Sequence, residues 1–177
     1  SARLPGESTS EFVRASWDVT GGNPFLLHEL AASIRSDMLT GFSPEPTRVR
    51  EFAPQSVSRS VTARVRRFGA DAVEFSRAAA VLGDGTPLAK VACLARIDFE
   101  RAVDLSARLV DADLLSRVDP ILFTHPMIRS AINAEAPPGP RALQQSRAAE
   151  LLQQDGAAAE EIAPLLLAAA PIAASWP

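Results

Sequence analysis

Apolar residues along most of this chain recur three and four positions apart, the spacing of helices with one buried stripe. Residues 8–19 predict a first short helix, capped by Ser8 or Ser10, with Phe12, Val13 and Trp17 on one side. Gly21 and Gly22 stop it, as glycines commonly do after a helix. Asn23 caps a second helix, and Pro24 takes its first position, where a missing N–H costs nothing. Leu26, Leu27, Leu30, Ala31, Ile34 and Met38 mark its stripe. The rhythm then breaks in 41-GFSPEPTRVREFAPQS-56, whose prolines read as a linker.

A third helix is predicted from Ser56 or Ser58, with Val57, Val61, Val65 and Phe68 inward, ending at Gly69. Asp71 opens a fourth, with Ala72, Phe75, Ala79 and Leu82 inward. After the turn 83-GDG-85, Thr86 and Pro87 supply the cap and first position of a short helix through Leu94. Asp98 caps a further helix to about Ala112, with Phe99, Val103, Leu109 and Val110 inward. The period changes in 114-LLSRVDPILFTH-125, where two apolar runs flank 117-RVDP-120, the pattern of a β-hairpin. His125 and Pro126 then start a helix through Ala134. Three helices followed by a hairpin, with a helix–turn–helix in the middle, is the arrangement of a winged helix. Beyond 136-APPGP-140, residues 141–154 and 158–170 predict two Ala/Leu-rich helices around 155-DG-156, a pair that could open a helical repeat array.

The expected fold is therefore mainly α: a helical lid-like segment at 1–40, a linker at 41–55, a winged-helix domain with a small β-hairpin at 56–135, and a C-terminal helix pair at 136–177. Composition agrees. Apolar residues make up 47% of 177, carried by Ala, Leu and Val with no Tyr, which favours helices over sheets. The net charge of −3 lacks the basic excess usual in a domain dedicated to nucleic acid. The helix that would enter a DNA groove, 98–112, carries Asp98, Glu100, Asp104 and Asp111 against Arg101 and Arg108, so it would meet phosphates with the wrong sign. The arginines at 59, 64, 66 and 67 could bind phosphate, but read better as the solvated face of an amphipathic helix. A lone cysteine, Cys93, excludes a disulfide framework; its context 91-VACLARI-97 predicts a buried thiol. No apolar run is long enough for a membrane span and the first residues do not form a signal peptide, so a cytoplasmic protein without membrane contact is expected. Both ends read as cut, as in a fragment.

Catalytic chemistry is not encoded in recognisable form. There is no GxxxxGK[ST] phosphate loop, no HExxH, no GxSxG, and only two histidines, His28 and His125. His28, inside the second helix, reads as a surface or core-edge side chain. The open question is 21-GGNPFLLHEL-30: two glycines before a cap require either unusual backbone angles or the close approach of another group.

Four segments, in order, resemble the large ATP-binding regulators of the LuxR family, members of the signal-transduction ATPases with numerous domains (STAND ATPases). The stretch 20-TGGNPFLLHEL-30 is similar to the GxP-type motif of the lid behind the ATPase core. The stretch 79-AAVLGDGTPLAKVACLARI-97 is similar to the early winged helix, and 107-ARLVDADLLSRVDPILFTHPMIRSAI-132 to the hairpin and its F-x-H-P segment. Finally, 147-RAAELLQQDGAAAEEIAPLLLAAAP-171 is similar to the start of a helical, TPR-like sensor. The resemblance implies that Pro24 packs on the adenine of ADP or ATP, with Gly22 and Asn23 shaping the approach. It also implies that His125 contacts ADP phosphates and locks a closed state. Arg129, one turn later, could reach phosphate or pair with an acid. The implied partners are an N-terminal P-loop ATPase domain and C-terminal sensor and DNA-binding domains of a parent chain. Hydrolysis and DNA binding would belong to those parts, and this region would hold no nucleotide tightly by itself. The alternative is a helical, winged-helix module that docks a protein partner without nucleotide.

Overall fold

The computed structural model describes residues 5–38 and 57–169. The 41–55 linker lies outside the described residues. Helix α1 spans Pro5–Thr20 and α2 Pro24–Met38. Helix α3 covers residues 57–66, followed by α4 (Ala70–Leu82), α5 (Leu88–Ala95) and α6 (Phe99–Asp111). A two-stranded antiparallel hairpin comes next, β1 (Leu115–Arg117) with β2 (Leu122–Phe123), and then α7 (Pro126–Glu135), α8 (Pro138–Gln154) and α9 (Ala159–Ala169). The architecture is mainly helical with one small hairpin.

One core cluster runs through most of these elements. Phe75, Leu88, Leu105, Leu114, Ile121 and Ile128 sit at its centre, with Val57 and Val61 of α3 and with Phe25 and Leu26 of α2. Further links fasten α2 to α3. The Ser60 hydroxyl donates to the Glu29 carboxylate, and the Arg64 guanidinium lies 4.6 Å from the Phe25 ring centroid. Arg66 pairs with Glu135, while Arg59 of α3 and Arg67, just past its end, are exposed. A small second cluster, Ala15 and Leu30 with Phe12, Val19 and Ile34, joins α1 to α2.

Several expectations need correction. Helix α1 begins at Pro5, so Ser8 and Ser10 lie inside it; a proline at the first helical position is already set for the turn. Phe12, Val13 and Trp17 do share one side of it, but Val13 and Trp17 are 59% and 61% exposed. Helix α5 begins at Leu88. Pro87 occupies the cap position, Thr86 bridges to Ile121 of the hairpin, and the Leu88 N–H donates to Asp119 at 3.0 Å. On α6, Phe99 and Val103 face outward, and the buried positions are Ala102, Leu105, Ser106 and Leu109. That set has helical spacing too; several apolar residues compete on this helix, and the one stripe that meets α4 and α5 is buried. Cys93 is exposed, because α5 buries Leu88, Val91, Ala92 and Leu94 and leaves position 93 on its outer side. Helix α8 starts at Pro138, three residues before the expected 141.

Candidate functional site

The corner 20–24 is built by two local devices. Gly21 ends α1: its φ is 57° and its N–H donates to the Trp17 carbonyl at 2.8 Å. Gly22 follows at φ 73°, again in the left-handed region that favours glycine. Asn23 then caps α2, its side-chain oxygen accepting from the Phe25 and Leu26 amides at 3.0 and 3.2 Å. Pro24 is the first helical residue, with its ring exposed.

Both glycines are also close-approach positions. A Cβ on Gly22 would lie 2.5 Å from Cη2 of Trp17. A Cβ on Gly21 would lie 3.0 Å from Nε2 and 3.3 Å from Cδ2 of His125. The glycine pair thus lets two aromatic rings rest directly on the backbone, one from α1 and one from the entrance to α7. The structure brings the glycine corner and His125 together across roughly a hundred residues of sequence. Gly21 makes that contact, whereas the resemblance points to Gly22.

His125 has extended backbone angles and caps α7, with Pro126 at the first position. Its Nδ1 accepts from the Met127 N–H at 3.1 Å, which assigns the proton of the neutral ring to Nε2. Nε2 faces Gly21 and makes no hydrogen bond to any described residue. Burial lowers the imidazole pKa below the ordinary 6.5. His125 therefore presents one N–H donor beside the corner. The first-turn amides of α2 and the Met127 amide of α7 are already taken by Asn23 and His125 themselves.

Arg129 points elsewhere. Its Nε donates to the Ala80 carbonyl at 2.8 Å, where Asn133 Nδ2 also donates at 3.0 Å. Its guanidinium covers Gly83, whose added Cβ would meet Nη2 at 2.8 Å. Arg129 thus closes the C-terminal end of α4 instead of joining His125. His28 is exposed on α2.

Two cavities flank the region. One of ≈ 370 Å³ lies between α1 and α2 and is apolar, with Trp17, Val13, Leu27 and Ile34 in its walls. The other, ≈ 430 Å³, lies between the 84–87 turn and α9 and includes Arg129, Lys90, Glu160 and Glu161. Gly22, Asn23, Pro24 and His125 line neither; Pro24 is exposed and the other three are half-buried. Among the described residues no group of three His, Cys, Asp or Glu side chains is placed to hold a metal ion, and no helix is long and apolar enough to cross a membrane. Comparison of the chain with protein-family models, with curated proteins and with solved structures finds no match.

Proposed function

We propose that the chain is a non-catalytic regulatory region of an ATP-dependent transcriptional regulator of the LuxR family. In this reading the Gly22-Asn23-Pro24 corner and His125 face ADP or ATP held by a P-loop domain of the parent protein. They would couple the nucleotide state to the arrangement of lid, winged helix and helical sensor in the cytoplasm. The observation that carries the reading is the seating of the His125 imidazole on Gly21, three residues before the exposed Pro24.

These residues fit the edge of a nucleotide better than a whole pocket. They offer an apolar ring face for a base and a single Nε2–H donor for an anionic oxygen. The nearby helix amides are already capped and add nothing. Such a donor gains from a phosphate by a charge-assisted hydrogen bond and by increased proton affinity. The test is calorimetric titration of the parent chain with ADP, comparing wild type, Pro24→Ala and His125→Asn. Asparagine keeps the α7 cap, so loss of affinity would report the missing imidazole. At least tenfold weaker ADP binding in one of the variants is expected, and unchanged affinity in both would overturn the reading.

A second reading rests on a different observation. The apolar cavity between α1 and α2, with Trp17 and Val13 left exposed, suits a module that docks a protein partner without nucleotide. A parent chain indifferent to ADP would favour it.

A further inference from the structure

Two arginines stand out at the opposite end of α7 from His125. Arg96 ends α5 with φ 57° and ψ 44°, a left-handed position usually held by glycine. The Ile97 N–H donates to the Ala92 carbonyl at 3.1 Å and the Arg96 N–H to the Cys93 carbonyl at 3.1 Å, so the helix ends in a Schellman turn with arginine where glycine is the easy choice. Arg147 projects from α8 toward the same place. Arg96 and Arg147 both line a cavity of ≈ 180 Å³ between α4, α5 and α8, and both line a second of ≈ 180 Å³ beside it.

The surrounding charges isolate this pair. Arg77, on the wall of the first cavity, bonds to Glu74 at 2.9 Å, and Lys90 of α5 takes Asp155 at 2.8 Å. Arg66, Arg101 and Arg108 also have carboxylate partners. Arg96 and Arg147 have none among the described residues, and Glu150, which lines the second cavity, makes no ion pair with either. Arg96, exposed at the end of α5, and Arg147 of α8 reach one small cavity from different elements; its wall also holds Glu74, which is paired with Arg77, the Gln144 amide and the apolar surfaces of Pro140 and Leu143. Guanidinium groups match the planar oxygens of carboxylate and phosphate, and a cavity this size admits such a head group but not a nucleotide.

We propose that Arg96 and Arg147 form a binding site for a small organic anion. Its carboxylate or phosphate would lie between the two guanidinium groups and its short apolar body against Pro140 and Leu143. The site does not depend on the nucleotide reading. It lies at the end of α7 marked by Ala136, about 15 Å along the helix from His125 at 1.5 Å per residue.

The experiment is nuclear magnetic resonance of the arginine Nε–H groups during titration with phenyl phosphate, benzoate, inorganic phosphate and neutral benzyl alcohol. Saturable shifts at Arg96 and Arg147 are expected with one or both aromatic anions, weaker ones with inorganic phosphate, and none with the alcohol. The response to phenyl phosphate against benzoate tells phosphate from carboxylate. Arg96→Gly relieves the left-handed backbone, so its thermal midpoint should equal or exceed that of the wild type while binding falls at least tenfold. Arg147→Ala should weaken binding comparably and provides a second, independent check. Absence of saturable shifts with both aromatic anions, or wild-type affinity in both variants, would overturn the proposal.

Discussion

Replacing Gly21 by alanine probes the contact through which the first helices meet the entrance to α7. Gly21 has φ 57°, where an L-residue costs about 1–2 kcal/mol relative to glycine. Reduced entropy of the unfolded chain returns about 0.4–1 kcal/mol. The new Cβ would lie 3.0 Å from Nε2 of His125, tighter than ordinary contact, so the ring must move. It cannot move freely, because Nδ1 is tied to the Met127 N–H, a cap worth about 1 kcal/mol. The sum is a destabilisation of about 1–2 kcal/mol, or about 3–6 °C in midpoint for a chain of this size. The assay is urea unfolding followed by circular dichroism at pH 7.5 for the wild type, Gly21→Ala, His125→Asn and the double variant. Asparagine at 125 keeps a capping oxygen but carries no ring to the glycine. In that background the alanine should cost about 1 kcal/mol less, a coupling within the range seen for touching residues. An equal cost in both backgrounds would show that imidazole and glycine do not meet, and the site would lose its geometric basis.

Three further outcomes are expected. Because burial lowers the His125 pKa below 6.5, the unfolded chain takes up that proton first as pH falls. The associated stability is therefore full above about 6.5 and declines as pH drops through the lower folded value; relative to the wild type, His125→Asn should flatten this part of the stability curve between pH 7.5 and 5, and parallel curves would refute it. On α6, Leu105→Ala should cost about 2–4 kcal/mol in chemical unfolding and Val103→Ala about 0.5 or less, because Leu105 is fully buried and Val103 is 41% exposed; the reverse order would overturn the assigned stripe. Arg129→Met should cost only about 1 kcal/mol by the same assay, since Asn133 keeps the Ala80 carbonyl bonded; a loss above about 3 kcal/mol would mean the two donors do not share it.

What was legible in the sequence was what the chain does locally. Asn23, Asp98 and His125 cap helices by reaching amides two or three residues ahead, and each such start could be read from its own few residues. The glycine pair could be flagged for the same reason, as a place of unusual angles or close approach, and it proves to be both. Its partners could not be read: Trp17 and His125 reach it through tertiary packing, and Gly21, not Gly22, takes the imidazole. The start of α5 is not legible locally because its capping carboxylate, Asp119, comes from the hairpin and not from the preceding turn. The pattern alone cannot turn Phe99 and Val103 outward, because α6 has apolar residues on more than one side and only the neighbouring helices decide which side is covered. Its spacing from His125 along the helix makes Arg129 a ligand candidate; a bond to Ala80, on another helix, turns it away.

The dependence of α5 on the hairpin also implies an order of assembly. Eight residues are too few to sustain a helix in water by themselves. The first amide of α5 is held by Asp119, and the chain just before it is splinted to the hairpin by two bonds, the Ile121 N–H donating to the Thr86 carbonyl and the Gly85 N–H to the Ile121 carbonyl, each at 2.8 Å. Residues 88–95 therefore acquire their shape only once a segment some thirty positions downstream has turned back on them. A polypeptide emerging from the ribosome would carry this helix without those supports until the hairpin had cleared the exit.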